Sequence, residues 1–285
     1  MIRGILAASR PISWVNTAVP YALTYLLAAG RVDWLLVVGF IFFLIPYNIA
    51  MYGINDVFDY ESDIRNPRKG GAEGAVLPKT MHRPLLIASA LTVIPPAMVL
   101  YAAGTATSAV WLTLALFTIV AYSAPPLRFK EVPLLDSLTS SSHFTLPAMV
   151  GATITGASID AKTTLAMTAF FLWGMASHAL GAVQDITADR EGGLRSVATQ
   201  FGARITTRLA ATLYFVAATL VAVLPFPGPL VALLGMSYGV NTMRYANVTD
   251  ENAENVNRAW RVFLWLIYLT GAIVTVGILF AVFPG

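Results

Sequence analysis

Residues 35–63 read LLVVGFIFFLIPYNIAMYGINDVFDYESD and join a long apolar run to a group of acids. The apolar part, residues 35–54, is interrupted only by Pro46 and Asn48. A run of about 20 apolar residues is long enough to cross a bilayer as a helix. The stretch therefore predicts a membrane helix that ends in an anionic site.

The acids at the end of this run predict a metal site. If the helix continues, Asn55, Asp59 and Asp63 are spaced by four residues and form one row along it. Asp56 follows Asn55 directly and lies beside this row on the same face. Carboxylates on one face repel each other unless a positive group lies among them. A Mg²⁺ ion held to a phosphate fits, because it prefers oxygen ligands and keeps part of its water shell. The alternative is that these are ordinary loop acids.

Composition places the chain in a membrane. Of its 285 residues 57% are hydrophobic and 12% charged, with a mean hydropathy of +0.69. A soluble domain carries about twice that charged fraction, so the apolar excess faces lipid. The formal net charge of +3 is too small and too dispersed for a nucleic-acid partner. The lack of cysteine excludes disulfides, thiolate nucleophiles, zinc–thiolate sites and iron–sulfur clusters. We expect no cleavable signal peptide.

Hydropathy predicts an all-α, polytopic membrane bundle of about nine transmembrane helices. The predicted spans are residues 14–30, 35–54, 84–103, 108–123, 136–156, 163–183, 207–225, 229–246 and 259–283.

Basic residues predict the orientation of these spans. Sixteen of the 18 Lys and Arg fall on one side, and only Arg31 and Lys162 fall on the other. Basic loops stay in the cytoplasm, so in a cell membrane the N-terminus lies inside and the C-terminus outside. The two long inner loops, residues 56–83 and 184–206, then predict a cytoplasmic cap.

A second acidic group ends the sixth span as the first ends the second. Asp185 and Asp189 are four residues apart and share a helix face. The pairs Asn55-Asp56 and Gln184-Asp185 are offset by 129 residues, which predicts two faint parallel halves, about 1–130 and 131–285, in one domain, 1–285. Two such groups together can clamp a diphosphate with two metal ions. The alternative for the second group is a charged helix end at the lipid headgroups.

Four basic residues are candidates for binding a diphosphate. Arg65 and Lys69 flank the first acidic group, and Arg128 and Lys130 follow the turn after the fourth span. Guanidinium forks and ammonium groups stabilise the charge that a departing diphosphate accumulates. The alternative is that these cations hold topology and bind anionic lipid.

The fifth span is polar, with His143 among several Ser and Thr residues, and His178 lies in the sixth. Such groups indicate either helix–helix hydrogen bonds or the lining of a central cavity. Both histidines are interpreted as satisfied interior residues.

The two acidic groups and the segment 122–130 resemble the UbiA family of intramembrane prenyltransferases. The resemblance covers essentially the whole chain. It implies a helical bundle around a central cavity, a Mg²⁺-bound prenyl diphosphate under the cytoplasmic cap, and an acceptor that enters from lipid. It also implies catalytic or metal-binding roles for Asn55, Asp56, Asp59, Asp63, Asp185 and Asp189.

Within that family, residues 9–17, 45–63, 65–71, 171–177 and 181–185 resemble the bacterial lycopene elongases. This implies dimethylallyl diphosphate as donor and lycopene, or a similar lipophilic molecule, as acceptor. Gln184 departs from the Asn of many family members, although its amide still offers a carbonyl oxygen. A quinone, haem or lipid acceptor and, from another class, a transporter are the alternatives. The need for a partner subunit is left open.

Overall fold

The computed structural model describes residues 2–64 and 76–284, and every regular element in those ranges is helical, as predicted. The α-helices are α1 (Ile2–Ala8), α2 (Val15–Ala29), α3 (Trp34–Leu44), α4 (Pro46–Phe58), α5 (Tyr60–Asp63), α6 (His82–Ala103), α7 (Ala106–Ser123), α8 (Leu135–Thr153), α9 (Ala161–Gln184), α10 (Ile186–Glu191), α11 (Val197–Ala222), α12 (Gly228–Met243) and α13 (Asn257–Val282).

Within the described ranges, six helical stretches are long and apolar enough to cross a membrane. They are Trp34–Phe58, Lys79–Ala103, Ala106–Ser123, Ala161–Gln184, Val197–Ala222 and Asp250–Val282. The other three predicted spans coincide with α2, α8 and α12. Helices α2 and α12 have only 15 and 16 residues, and α8 is rich in Ser and Thr. The count of nine spans therefore stays a prediction.

The predicted second span is two helices, because Pro46 interrupts it. Proline has no N–H to donate and favours the first position of a helix, so α3 ends at Leu44 and α4 begins at Pro46. The Asn48 side chain donates to the carbonyls of Phe43 and Leu44 at 2.8 and 3.1 Å. The break thus leaves these two carbonyls paired, as burial in an apolar interior requires.

Helix α11 begins at residue 197, ten residues before the predicted span 207–225. Its start is a capping box, in which the Ser196 hydroxyl accepts from the Thr199 N–H at 3.2 Å and the Thr199 hydroxyl accepts from the Ser196 N–H at 2.7 Å. At Gly202 the backbone has φ of 79°, which bends the helix. Hydropathy does not detect this first turn, because it is polar.

The chain divides into two compact units. The first contains Met1–Arg128 and His143–Ser158, and its buried core includes the rings of Tyr21, Phe43 and Tyr47. Phe43 packs 5.1 Å from Tyr21 and 5.2 Å from Tyr47, measured between ring centroids. Whether the two units form one domain, and whether they are repeated halves, stay predictions.

The second unit contains Phe129–Ser142 and Ile159–Gly285. Its core is also aromatic, with Phe263 4.7 Å from Trp260, 5.7 Å from Tyr238 and 5.8 Å from Trp173. These rings pack against one another in the interior.

The polar residues of the α8 segment that belongs to the second unit make interhelical hydrogen bonds. The Ser141 hydroxyl donates to the Phe171 carbonyl at 2.6 Å, and Ser137 lies 3.0 Å from His178 Nδ1. Asp136 is fully buried and accepts from the Val197 N–H at 2.6 Å. Of the two interpretations of these residues, helix–helix bonding is the observed one, and His178 is a satisfied interior histidine. A central cavity and a cytoplasmic cap stay predictions.

Candidate active site

The first motif, residues 55–63, lies where α4 ends. The helix is interrupted at Asp59, whose φ and ψ are −103° and 0°, and resumes as α5. The Asp59 N–H still donates to the Asn55 carbonyl at 2.9 Å, and the Asp63 N–H to the Asp59 carbonyl at 2.8 Å. The helical spacing therefore survives the interruption. The Asn55 side chain donates to Asp59 Oδ2 at 2.6 Å, which confirms that these two residues share a row.

The carboxylates of the first motif are buried. Asp56, Asp59 and Asp63 are 5%, 6% and 8% exposed. Acidic side chains are almost never this buried unless they are paired or bind a metal, because a desolvated charge is costly. Three of them within eight residues make the end of α4 the most anionic interior site in the described part of the first unit.

Arg10 supplies a cation that sequence reasoning missed. Its Nη2 donates to Asp56 Oδ1 at 3.0 Å, and its guanidinium lies 4.3 Å from the centroid of the Tyr52 ring. The Arg10 side chain is 16% exposed, and that of Asp56 is 3% exposed. Arg10 has φ of 50°, an unfavourable conformation for a non-glycine residue. The only sequence signal is the spacing of Tyr52 and Asp56, which puts both on one face of α4.

Arg128, a predicted diphosphate ligand, also lies beside the first motif. Its Nη1 donates to the Phe58 and Ser123 carbonyls at 3.3 and 3.2 Å, and its Nη2 is 3.8 Å from Asp59 Oδ1. The Asn55 side chain also donates to the Ser123 hydroxyl at 2.9 Å. The motif is thus tied to the end of α7 and balanced by a second cation.

The other three predicted diphosphate ligands lie elsewhere in the chain. Lys130 lies in the 3₁₀ turn Phe129–Glu131, which belongs to the second unit. Arg65 and Lys69 lie outside the described residues.

The second motif, residues 185–189, lies where α9 ends. Asp185 stands between α9 and α10 with φ and ψ of −96° and 0°, and the Asp189 N–H donates to its carbonyl at 2.8 Å. Both acids are half-buried. The prediction of one continuous helix face is therefore modified, because the bridge-region backbone of Asp185 separates two helices while the four-residue spacing is kept.

The two motifs share this local geometry. Asp59 and Asp185 have nearly the same backbone angles, and each follows a long helix. Each also precedes a short helix, and the residue four positions further along the chain is again an aspartate. By this criterion Asp59 corresponds to Asp185 and Asp63 to Asp189, at an offset of 126 residues rather than 129. Asp56, the partner of Arg10, has no acidic counterpart in the second motif.

The donor groups fit magnesium. Among residues 2–64 and 76–284, no three Asp, Glu or His side chains converge closely enough to hold a metal by themselves. Magnesium does not require this, because it usually takes one or two carboxylates and completes its shell with water and substrate phosphate. Both motifs offer oxygen donors of that kind.

Comparison with known proteins gives a consistent result. The profile of the UbiA prenyltransferase family matches residues 17–267. A lycopene elongase/hydratase of Corynebacterium glutamicum is 58% identical over 275 residues, which cover 96% of each protein. A C(50) beta-cyclic carotenoids biosynthesis protein, LbtBC, of Dietzia sp. strain CQ4 is 51% identical over 96% of this chain and 64% of that protein.

The fold is also found among solved structures. A UbiA homologue of Archaeoglobus fulgidus, solved with GPP and Mg²⁺, superposes with a TM-score of 0.73 at 20% identity. The match covers 96% of this chain and 99% of that one. At this identity the likeness shows a shared fold.

Proposed function

Because this chain belongs to the UbiA prenyltransferase family, we propose that it transfers dimethylallyl groups from their diphosphate to the ends of lycopene. The 58% identity to a lycopene elongase/hydratase, over 96% of both proteins, carries this proposal. The C(50) product in the name of the Dietzia relative supports the donor, since two five-carbon additions extend lycopene to that length. The protein acts as a multi-pass protein of the cell membrane.

The reaction begins when the allylic carbon–oxygen bond of the donor breaks and its electron pair leaves with the diphosphate. The terminal double bond of the acceptor then attacks the allylic cation, and the new tertiary cation loses a proton. The departing diphosphate is the proposed proton acceptor. Water has to be excluded, because it would quench the cation.

Each group of residues has a proposed role in this reaction. When bound, Mg²⁺ neutralises charge on the diphosphate and so favours its departure. The residues proposed to hold it are Asn55, Asp56, Asp59, Asp63, Asp185 and Asp189. The residues proposed to bind the diphosphate directly are Arg65, Lys69, Arg128 and Lys130. Arg10 orients Asp56 by holding one of its carboxylate oxygens at 3.0 Å.

A quinone, haem or lipid acceptor is the alternative within the family. The transporter alternative is less well supported, because transporters place coupling carboxylates near the membrane midplane. Here both acidic motifs follow the last turns of long helices, α4 and α9.

Expression in cells that produce lycopene, followed by pigment analysis, tests the acceptor and donor. We expect lycopene to be replaced by carotenoids longer by one or two five-carbon units. Unchanged lycopene in cells with verified expression would overturn the assignment. If purified protein then prenylates a quinone or lipid acceptor, the family alternative applies.

Purified variants test the acidic motifs. We expect Asp56→Asn and Asp185→Asn to lower turnover more than about 100-fold. This exceeds the loss of about 10-fold to 100-fold that is typical when a group that only orients a metal ligand is removed. Folding should be retained, since the amide oxygen that replaces Asp56 Oδ1 can still accept from Arg10. Asp160→Asn, a carboxylate at the start of α9, is the matched control. Excess chelator should reproduce the loss, and wild-type turnover in either motif variant contradicts the role of that motif.

A further inference from the structure

The second motif is held from both sides by one segment of the second unit, residues 249–257, which we name the latch segment. It contains the 3₁₀ helix Asp250–Val256 and the first residue of α13. Its two ends contact Gln184 and Arg190, the residues that directly flank the motif. The latch segment is 60 or more residues away in sequence, so no local pattern predicts this arrangement.

The first contact precedes the motif. Asn257 Nδ2 donates to Gln184 Oε1 at 2.7 Å, and Arg261 Nε donates to Asn257 Oδ1 at 3.0 Å. Arginine has donors only, so Arg261 requires the oxygen of the Asn257 amide and thereby turns its NH₂ group toward Gln184. The contact is therefore oriented by a third residue.

The second contact follows the motif. Arg190 Nη1 lies 2.7 Å from Asp250 Oδ2, and Asp250 Oδ1 accepts from the Ala203 N–H at 2.7 Å. The Arg190 and Asp250 side chains are 46% and 34% exposed, so the ion pair alone contributes little. The bond from Ala203, just after the bend at Gly202, fixes the carboxylate of Asp250 independently of Arg190.

The middle of the motif is held by packing. Ile186 is 1% exposed and belongs to the same core cluster as Ala253 and Val256 of the latch segment, which are 2% and 0% exposed. This anchor matters because Asp185 separates two helices, so the direction of α10 does not follow from the continuity of α9. Contacts made by α10 and its flanks have to set that direction.

We propose that the latch segment positions Asp185 and Asp189 for metal–diphosphate binding, with Asn257 and Asp250 as positioning residues. The proposal rests on the proposed function of the second motif. It deepens that function by assigning a role to the α12–α13 connection, which contributes no acid of either motif. Groups that orient metal ligands typically change metal affinity by about 10-fold to 100-fold when they are removed.

The test uses the full-length protein and the variants Asn257→Ala, Asp250→Asn and their combination. Asp250→Asn keeps an oxygen that can accept from the Ala203 N–H. The variant therefore weakens the ion pair with Arg190 and retains the hydrogen bond next to the bend at Gly202. Asn247→Ala is the matched control, because Asn247 lies in the same connection but accepts from Arg208 at 2.9 Å. That hydrogen bond joins the connection to α11 and involves neither residue that flanks the motif.

Hydrogen exchange of metal-free protein is the first readout. Exchange of the Asp189 and Leu194 amides, which donate to the Asp185 and Asp189 carbonyls at 2.8 Å, should accelerate about 10-fold in the latch variants and not in the control. Unchanged exchange in the combined variant overturns the proposal.

The second readout is the Mg²⁺ concentration that half-saturates thermal stabilisation by Mg²⁺ with inorganic pyrophosphate. We expect this Mg²⁺ concentration to rise roughly 10-fold in each single variant. The unfolding midpoint without ligand should equal that of Asn247→Ala. An unchanged Mg²⁺ requirement despite faster exchange also overturns the positioning role. If the wild-type protein shows no Mg²⁺-dependent stabilisation, the proposed function fails, whereas the exchange result still decides whether the segment holds the motif.

Discussion

At the scale of single residues, two arginines form ion pairs of the same length that differ in burial, and burial decides how much each pair matters for stability. Arg10 and Arg31 each lie 3.0 Å from a carboxylate, that of Asp56 and that of Asp33. The Arg31 side chain is 70% exposed, whereas that of Arg10 is 16% exposed and stacks on Tyr52. Removal of one partner of a buried pair leaves an uncompensated charge, but an exposed pair is replaced by water.

We therefore expect Arg10→Gln to lower the free energy of unfolding by about 3 kcal/mol, because the buried Asp56 loses the guanidinium that donates to its carboxylate. Arg31→Gln, which removes an ion pair of the same length, should cost less than about 1 kcal/mol. Chemical or thermal unfolding in one detergent measures both. Equal losses in the two variants would show that Asp56 does not depend on Arg10.

Arg10 also shows why residue-level prediction was incomplete. The acids of both motifs are visible in the sequence, because they are neighbours on helices with a fixed period. Arg10 is 46 residues from Asp56 and follows α1, which packs on α4 through Ile5 and Ala8. Long-range pairs of this kind have no local pattern.

At the scale of elements, the connection between α2 and α3 is controlled by one carboxylate. Asp33 caps α3 by accepting from the N–H groups of Leu35 and Leu36, and the Tyr25 phenol donates to it at 2.6 Å. The hydrogen bond from Tyr25 is the main cause that holds the pKa of Asp33 below its ordinary value, and Arg31 and the backbone add to it. Burial opposes this shift.

A carboxyl whose pKa is lower in the folded state stabilises the protein above its unfolded pKa, and this stability is lost as the pH falls through the folded value. We expect Tyr25→Phe to raise the pKa of Asp33 toward that of an ordinary aspartate. Because the unfolded pKa is the same in both proteins, the variant should be less stable than the wild type near pH 6, and its unfolding midpoint should fall less than that of the wild type as the pH is lowered through the pKa of Asp33. Thermal unfolding between about pH 6 and pH 2 measures this.

Tyr101→Phe is the control for this experiment. The Tyr101 hydroxyl forms a hydrogen bond with the Thr113 hydroxyl at 2.8 Å, so the variant loses a bond between two uncharged groups. It should leave the acid limb unchanged. The role of Tyr25 is contradicted if the dependence of the unfolding midpoint on acidic pH changes equally in both variants, or in neither.

At the scale of the whole molecule, the orientation in the membrane is open to a direct test. The chain has no cysteine, so a single introduced thiol reports its own side. A membrane-impermeant maleimide should label Lys162→Cys in intact cells and Arg244→Cys only after permeabilisation, because basic loops stay inside. Both positions are exposed. The reverse pattern would invert the predicted topology and place the motifs outside.

The sequence by itself determined the helical membrane class, the approximate positions of the six described helical stretches that could cross a membrane, and which acids follow α4 and α9. These follow from apolar run length and helical period, which are local properties of the chain. Only the tertiary structure decided that Arg10 neutralises Asp56, that the helices break at Asp59 and Asp185, and that residues 249–257 hold the second motif. The physical reason is that such contacts join residues far apart in sequence, and their formation depends on how helices pack rather than on any spacing along the chain.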